Sequence, residues 1–378
     1  MAVQTGRLTP ARAEPVSNSH QRVEAAIKAF ARGEIVVVTD DDDRENEGDL
    51  FVAASHCTPD KMAFIIRNTS GIVCAPLGAE QARRLHLEPM VAANEAPLGT
   101  AFTVSVDVRH GLTTGISAEE RCNTVRALAN DNSGAADFVR PGHVFPLVAR
   151  QGGVLMRSGH TEACVDLCRL ASLPPVGVLA ELMNDNGSVM RGPEVFAFAQ
   201  KHKLAQVSIA ELIAYRQSRD KLVERVGEFP LTSEIGKLQG YAYVTPFDRV
   251  HHMAFVYGDI GNGKDVLARL HRADVIGDVF GGARSIRASL ERFKTAGRGV
   301  IVYLRDGTAG VPVSEIPHDG DSGTDAARSR QWREIGLGAQ ILKDLGISSI
   351  RLLTSSKRTY VGLGGFGIEI VATETLKN

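Results

Sequence analysis

The sequence of 378 residues has little net charge and no long apolar run. Its 43 Lys and Arg residues nearly balance 44 Asp and Glu residues, so we expect no nucleic-acid or membrane partner bound through bulk charge. The longest apolar runs, such as residues 35–38 and 300–304, are too short to cross a bilayer. A composition of 43% hydrophobic and 23% charged residues is typical of a globular protein. No apolar stretch follows Met1, which predicts a cytoplasmic protein without a secretory signal.

Cysteine is absent from the sequence after Cys168. The number of cysteines, five, is odd, and their spacing is not that of a disulfide framework, so disulfides are not expected. The length suits two domains, and the charged segment 217–225 is the predicted boundary. We therefore predict a flexible tail over residues 1–20, a first domain over 21–217 and a second over 222–378. Both are expected to be α+β, as mixed α/β domains with a central sheet.

Hydrophobic periodicity places the main elements of both halves. In the first half it predicts helices over 21–31, 61–70, 118–130, 162–170 and 209–216, and strands over 34–39, 71–75, 102–108 and 177–182. In the second half it predicts helices over 283–294 and 336–345, and strands over 240–244, 253–257, 299–304, 349–353 and 367–371. The polar segment 314–330 is predicted to be a surface loop.

An acidic segment follows the first predicted strand. Residues 40–49 contain seven carboxylates around Arg44 and Gly48, at a strand end where α/β proteins commonly place their sites. Oxygen ligands of this kind suit Mg²⁺, which takes few protein ligands and keeps several waters. A solvated acidic turn is the alternative interpretation, and the residues alone leave both open.

A second candidate is the turn formed by residues 152–162. Arg157, Ser158, Gly159 and Thr161 precede or open a predicted helix, and a helix N-terminus with an Arg and a hydroxyl can bind an anion. The alternative is an ordinary N-cap. His160 lies in the same turn and could join a carboxylate at a metal ion or be merely structural.

Two further residues could take part in acid–base chemistry. His143 lies between two prolines in residues 140–147, which predicts a rigid loop that either aims the imidazole or simply packs. Glu181 follows an apolar strand, where burial would raise its pKa and suit a general base. The alternative for Glu181 is a strand-edge carboxylate turned to water.

Five ordered motifs in residues 21–217 together resemble the 3,4-dihydroxy-2-butanone 4-phosphate synthase family of riboflavin biosynthesis. They are residues 43–49 (DRENEGD), 70–74 (SGIVC), 113–117 (TTGIS), 140–146 (RPGHVFP) and 159–163 (GHTEA). The resemblance implies a lyase that converts ribulose 5-phosphate to L-3,4-dihydroxybutan-2-one 4-phosphate and formate. It also implies a homodimer with active sites across the interface.

The resemblance also assigns roles to individual residues. It implies that Glu45 and His160 bind Mg²⁺ or Mn²⁺, with two ions per subunit, and that His143 and Glu181 are catalytic. The implied substrate contacts, with the phosphate near Arg157 and Thr161, are Arg44, Glu45, Asp49, Arg157, Ser158, Gly159, His160, Thr161 and Glu181. Glu120 stands where the family usually has Asp, so we leave it out of the predicted site.

Residues 222–378 resemble the GTP cyclohydrolase II family, which is often fused behind the synthase. That family binds zinc through three cysteines, and the matching positions hold Asp274, Ser285 and Arg287. Gln331 stands at the position of the family's acidic proton acceptor, whereas the family's Arg is kept as Arg333. Because thiolates are needed for such a site, we expect no zinc.

These differences favour a monofunctional synthase with an inactive second domain. A bifunctional enzyme that also acts as GTP cyclohydrolase II is the first alternative. A nucleotide-binding regulatory module in the second half is another, and it is compatible with an active synthase.

Overall fold

The computed structural model describes residues 16–40, 46–96, 98–246, 250–305, 336–355, 363 and 367–376. In these ranges the chain forms two seven-stranded sheets, one in each half, with helices packed against both. The predicted α+β class with two mixed domains is confirmed. None of the helices in these ranges has the length and hydropathy that a membrane span requires.

The first domain has its strands in the order β4-β5-β3-β6-β2-β1-β7. The β1–β7 and β3–β5 pairs are parallel and the remaining pairs are antiparallel. Its strands are β1 (Val36–Thr39), β2 (Gly48–Ala53), β3 (Cys74–Gly78), β4 (Val106–Val108), β5 (Phe138–Ala149), β6 (Gly177–Glu181) and β7 (Ala205–Ser208). Its helices are α1 (Val16–Ala31), α2 (Pro59–Asn68), α3 (Ala79–Arg84), α4 (Ala118–Leu128), α5 (His160–Leu170), α6 (Pro193–His202) and α7 (Ile209–Arg219).

Helices cover both faces of this sheet, which explains the uninterrupted apolar sequence of β1. Val36 and Val38 belong to a core cluster with α1, α5 and α7, whereas Val37 belongs to a second cluster with α2, α4 and α6. Successive side chains of a strand point to opposite faces, so a strand between two helix layers must be apolar throughout.

Local capping defines where the helices begin. Before α2, the side chain of Thr58 accepts a hydrogen bond from the backbone of Lys61, and Pro59 occupies the first helical position. Before α4, Ser117 and Glu120 form a reciprocal capping box. These signals set the first residues of α2 and α4.

The prediction of a loop over residues 140–147 is wrong, because these residues belong to strand β5. Val144 pairs with Val106 and Val139 with Asp107, so residues 140–143 bulge out of the β4–β5 ladder. Proline lacks the N–H of a ladder residue, which is why the two prolines hid this strand from the sequence pattern. The bulge brings His143 beside Asp107.

Other boundaries also differ from the predictions. The helix α1 begins at Val16, inside the predicted tail of residues 1–20, and α5 begins at His160, which places His160 and Thr161 in its first turn. The predicted strand 102–108 is reduced to the three residues of β4. The sequence pattern does not predict β2, β7, α3 or α6 in the first domain, nor the strands Glu224–Ser233 and Val266–Arg272 in the second. The predicted loop 314–330 lies outside the described residues.

The second domain has the strand order β14-β13-β11-β12-β10-β9-β8, parallel from β14 to β12 and antiparallel from β12 to β8. Its strands are β8 (Glu224–Ser233), β9 (Gly236–Val244), β10 (His252–Tyr257), β11 (Val266–Arg272), β12 (Gly299–Leu304), β13 (Ser349–Thr354) and β14 (Glu369–Thr375). Helix α8 (Arg284–Ala296) packs on one face, and residues 336–344 form a helix on the other.

The connection between the domains is short and buried. Only residues 220–223 separate α7 from β8, and Leu222 and Val223 are 3% and 5% exposed. Both belong to the cluster that contains Ile213 of α7 and Ile341 of the second domain. One hydrophobic core therefore runs from the first domain into the second.

Candidate active site

Two carboxylates face each other at the ends of β2 and β6. Asp49 pairs in register with Glu181, and the adjacent backbone is joined by a 2.8 Å hydrogen bond from Leu182 N to Gly48 O. Asp49 is 2% exposed, whereas Glu181 is exposed, so the predicted burial of Glu181 is wrong because this residue ends β6 at the strand edge. Directly opposed antiparallel residues lie on the same side of the sheet, so a buried and an accessible carboxylate share one edge of the site.

His160 adds an imidazole to this pair. It is the first residue of α5, and its ring packs edge-on against Phe51 of β2 at a centroid distance of 6.1 Å. Its Nε2 lies 3.8 Å from Asp49 Oδ1, which is longer than a hydrogen bond. A nitrogen donor beside carboxylate oxygens is a donor set that fits a divalent cation such as Mg²⁺. The predicted partners Arg44 and Glu45 lie outside the described residues.

Burial affects the titration of neighbouring groups. Burial, together with the nearby carboxylate of Glu181, raises the pKa of Glu47, although a 3.4 Å contact with Arg191 Nη2 opposes this change. Burial and the carboxylates of Glu181 and Asp49 raise the pKa of the Cys74 thiol on β3. Cys74 is therefore a neutral thiol beside the acidic pair at neutral pH.

Arg157 is fixed by contacts at the start of α5. Its Nη1 lies 2.6 Å from Glu162 Oε2, and its Nη2 donates to the carbonyl oxygen of Leu98 at 3.0 Å. Glu162 is 1% exposed, and its other oxygen accepts a 2.9 Å hydrogen bond from the backbone of Arg150. Glu162 thus holds the guanidinium over the helix N-terminus that Gly159 and Thr161 form.

His143 forms a dyad with Asp107, the residue that sequence reasoning missed. Asp107 Oδ2 lies 2.7 Å from His143 Nδ1, and Asp107 Oδ1 accepts a 2.9 Å hydrogen bond from the backbone of His143. The Asp107 side chain is 4% exposed and that of His143 is 40% exposed. A buried carboxylate that fixes one ring nitrogen leaves the other available for proton transfer.

Gly115 packs closely against this dyad. Its φ of +84° lies in the left-handed region, and a Cβ at this position would lie 2.6 Å from His143 Nδ1. Only glycine therefore fits there. Glu120 organises the same loop, because its Oε1 accepts hydrogen bonds from Thr113 N at 2.7 Å and Thr113 Oγ1 at 2.8 Å.

The structure thus forms two groups of predicted residues rather than one. Asp49, His160 and Glu181 converge, with Arg157 at the start of the same helix as His160. His143 lies on β5, two strands away from Glu181 on β6, or roughly 10 Å at the usual strand spacing. This distance is too long for a direct hydrogen bond between His143 and Glu181. A ligand several carbons long could contact both groups.

Asp107, Glu47 and Glu162 were missed as site residues although signals for them were present. Asp107 is one of three polar residues in an alternating segment, and Glu162 belongs to the GHTEA motif. Only the β4–β5 bulge shows that Asp107 meets His143. Pairings that depend on strand register are not readable from one sequence.

In the second domain, the residues at the three positions where the family has cysteines differ in their surroundings. Asp274 Oδ1 accepts a 3.0 Å hydrogen bond from Gly277 N, and Ser285 lies in the first turn of α8. The Arg287 side chain is 63% exposed. Across the described ranges, no group of three or more His, Cys, Asp or Glu is arranged to hold a metal ion.

A separate cluster at the end of β11 stabilises this region. His271 Nε2 lies 2.8 Å from Asp278 Oδ1, and Tyr303 Oη donates to Asp278 Oδ2 at 2.7 Å. Burial lowers the pKa of His271, partly offset by Asp278. The cluster closes the loop between β11 and α8. The predicted positions Gln331 and Arg333 lie outside the described residues.

Comparison with known proteins agrees with this two-part architecture. Residues 24–215 match the family model of 3,4-dihydroxy-2-butanone 4-phosphate synthase, and residues 224–375 match that of GTP cyclohydrolase II. The bifunctional riboflavin biosynthesis protein RIBA 1 of Arabidopsis thaliana is 46% identical over 92% of this chain and 68% of its own length. The monofunctional riboflavin biosynthesis protein RIBA 2 of the same plant is 44% identical over 92% of this chain and 75% of its own length.

Two solved structures are similar to the chain. RibBX, a two-domain 3,4-dihydroxy-2-butanone 4-phosphate synthase from A. baumannii, has a TM-score of 0.78 and 34% identity over 94% of this chain and 99% of its own. A 3,4-dihydroxy-2-butanone 4-phosphate synthase in complex with two magnesium ions has a TM-score of 0.52 and 45% identity over 52% of this chain and 97% of its own. The chain therefore belongs to the 3,4-dihydroxy-2-butanone 4-phosphate synthase family, joined to a domain of the GTP cyclohydrolase II family.

Proposed function

We propose that the first domain converts ribulose 5-phosphate to L-3,4-dihydroxybutan-2-one 4-phosphate and formate. The observation that carries this proposal is the convergence of Asp49, Glu181 and His160 at the ends of β2 and β6. The reaction begins with removal of a proton beside a ketone, which needs an accessible base. Glu181 is the exposed carboxylate of the pair and suits that role.

The proposal includes a divalent ion held by His160 and Glu45, with Asp49 beside them. Mg²⁺ or Mn²⁺ fits a mixture of imidazole and carboxylate donors, and the magnesium complex of a similar synthase supports two ions per subunit. When bound, such an ion supplies a Lewis acid to the substrate oxygens. Asp49, whose Oδ1 lies 3.8 Å from His160 Nε2, would help to orient that ligand.

The substrate phosphate is assigned to Arg157 and Thr161 at the start of α5, with Ser158 and Gly159 lining the same turn. Guanidinium has five N–H donors, so Arg157 can keep its bonds to Glu162 and Leu98 and still donate to a phosphate oxygen. The helix N-terminus adds backbone donors and a favourable dipole. Arg44 is the remaining proposed substrate contact.

His143 would move protons at the distal part of the sugar chain. The water lost from the substrate in one step is consumed when formate leaves, so both steps need a group that donates and accepts a proton. The dyad with Asp107 stabilises the protonated ring during these transfers. We also propose the homodimer that the family resemblance implies, in which a site spans two subunits.

The cytoplasmic location also stays a proposal. All five cysteines are free thiols in this structure, as expected in a reducing compartment. We further propose that the protein binds neither nucleic acid nor membranes, in line with a net charge of −1.

We also propose that the second domain lacks GTP cyclohydrolase II activity and zinc. Cysteine is absent after Cys168, and Arg287 carries a permanent charge that would repel a cation at one ligand position. The bifunctional relative supports the opposite assignment, whereas RibBX, a two-domain protein described as a 3,4-dihydroxy-2-butanone 4-phosphate synthase, supports ours. A nucleotide-binding regulatory role is compatible with either.

Two assays test the assignment. The purified chain is incubated with ribulose 5-phosphate and Mg²⁺, and formate is measured; its absence would contradict the synthase proposal. Separately, a chelator-washed sample is analysed for zinc and incubated with GTP. One zinc per chain with formate released from GTP would establish the bifunctional alternative.

A further inference from the structure

Arg216 connects helix α7 to the turn that leads into the proposed phosphate site. Its Nη1 lies 2.6 Å from Asp166 Oδ2 and donates to the carbonyl oxygen of Gly152 at 2.8 Å. Its Nε and Nη2 bind Asp220 Oδ2 at 2.9 and 2.6 Å. The side chain of Arg216 is 13% exposed and that of Asp166 is 1% exposed. Solvent screens such a buried network far less than a surface pair.

Asp166 in turn fixes the backbone of this turn. Its Oδ2 accepts a 2.8 Å hydrogen bond from Val154 N. Gly153 has a φ of +64°, and the Asp166 carboxylate occupies the space that a Cβ would need. The next residues of the chain are those that lead to Arg157 and His160. The orientation of this segment therefore depends on the Arg216–Asp166 pair.

The second domain holds the end of α7. The side-chain amide of Gln340 accepts a 2.7 Å hydrogen bond from Leu222 N and donates to the carbonyl oxygens of Gln217 and Asp220 at 3.1 and 2.6 Å. Asp220 is the same residue that binds Arg216. One amide from the second domain thus satisfies three backbone groups at the end of α7 and in the domain connection.

We propose that Arg216 is a positioning residue for the synthase site and that the second domain keeps it in place through Gln340. The path runs from Gln340 to the end of α7, from Arg216 to Asp166, and from there to the turn before Arg157. The hydrogen bonds of Arg216 go to Gly152, Asp166 and Asp220 and to none of the proposed substrate residues that the structure describes, so its effect is on their position. This proposal rests on the proposed function for its kinetic readout only.

Gln340 suits this role because its amide oxygen meets a backbone N–H and its amide nitrogen meets two carbonyl oxygens. Loss of the amide would leave one N–H and two carbonyl groups of the domain connection without their side-chain partner. The end of α7 would then fray, and Arg216 would lose the fixed position of Asp220. A domain without metal chemistry can support catalysis in this way.

The test compares Gln340→Leu with Arg292→Gln in the full chain. Arg292 forms an exposed ion pair with Glu374 in the second domain, away from the connection, so it is the matched control. Hydrogen exchange of a peptide covering residues 150–157 is measured by mass spectrometry. We expect exchange to become several-fold faster in Gln340→Leu and to stay at the wild-type rate in Arg292→Gln. Equal exchange in both variants would overturn the role of the second domain.

Kinetics with ribulose 5-phosphate provide the second readout. We expect Gln340→Leu to raise KM several-fold with kcat nearly unchanged, because the displaced segment carries phosphate contacts made in both ground and transition states. Arg216→Lys keeps the charge but loses the fork that binds Asp166 and Asp220 together, so it should raise KM further. If the two changes act through one path, their effects in the double variant will be less than additive.

The two readouts separate this inference from the proposed function. If wild type released no formate, the synthase assignment would fail while hydrogen exchange still tested the connection. Unchanged exchange over residues 150–157 in Arg216→Lys would overturn the positioning role itself. Gln340→Glu, which keeps the size and the acceptor for Leu222 N, replaces Gln340→Leu if that variant does not fold.

Discussion

Asp107 and His143 are joined twice, once through the ring and once through the backbone. The carboxylate lies 2.7 Å from Nδ1 and accepts a 2.9 Å hydrogen bond from the backbone N–H of the same histidine. Both contacts exist because residues 140–143 bulge out of the β4–β5 ladder. The ring is thereby held through Nδ1, which leaves Nε2 as the nitrogen for proton transfer.

Removing the charge of Asp107 should impair proton transfer without unfolding the domain. Asp107→Asn can still accept from the backbone but no longer stabilises a protonated His143 ring, so we expect kcat to fall by roughly 10²-fold or more. Stopped assays of formate release at pH 7 measure this change. Asp137→Asn is the control, since Asp137 caps a short turn at the start of β5 and does not touch His143. Equal rates for the two variants would contradict the dyad.

Replacing His160 or Glu45 by alanine should abolish formate release and weaken Mg²⁺ binding together. Ligands at an open catalytic site seldom hold a core together, so the thermal midpoint of the metal-free protein should stay close to that of wild type. Titration calorimetry with Mg²⁺ measures binding, and Glu80→Gln, on the exposed first turn of α3, serves as the control. Near-normal turnover of Glu45→Ala at saturating Mg²⁺ would refute the assignment.

Arg157→Lys should raise KM for ribulose 5-phosphate by about tenfold with a smaller effect on kcat. Lysine keeps the charge but loses the planar fork, and a tenfold change corresponds to about 1.4 kcal/mol. Steady-state kinetics decide the outcome. An unchanged KM would place the phosphate elsewhere. Arg150→Lys tests specificity, because only the backbone of Arg150 is used by Glu162.

Glu120 should make the thermal stability of the protein depend on pH. Hydrogen bonds from Thr113, then from Gly115 and Ser117, lower the pKa of its carboxyl well below the ordinary value of 4.5. A lowered folded pKa gives a stabilisation that is fully present above pH 4.5 and is lost as the pH falls toward the folded value. The thermal midpoint of Glu120→Gln should therefore lie below that of wild type at pH 7 and approach it below pH 4. Glu119→Gln, in the same helical turn but without these bonds, should show no such convergence.

Glu120 illustrates which features of the site can be predicted from the sequence and which cannot. The motifs located the acidic segment, the start of α5 and the strand before Glu181, because each carries a local signal of composition or capping. Glu120 was set aside as a departure from the family, yet a Glu at this position closes the capping box with Ser117. The role of a side chain in a loop depends on neighbours that one sequence does not identify.

The same limit explains the errors in the fold. Buried strands with continuous apolar sequence, such as β1 and β12, and strongly periodic helices were located from the sequence within a few residues. Strand β5 was not, because its prolines and its bulge mimic a loop, and β2 was hidden behind the acidic segment that precedes it. Pairing across a sheet is set by packing of distant segments, which local patterns do not encode.

The buried residues Leu222 and Val223 in the domain connection constrain how this gene can evolve. A stop codon after α7 would expose apolar side chains of the cluster that the two domains share, and such exposed patches favour aggregation. Selection for the first activity alone is then sufficient to retain the whole reading frame. Substitutions that erase catalysis in the second half can accumulate, while its folding remains under constraint.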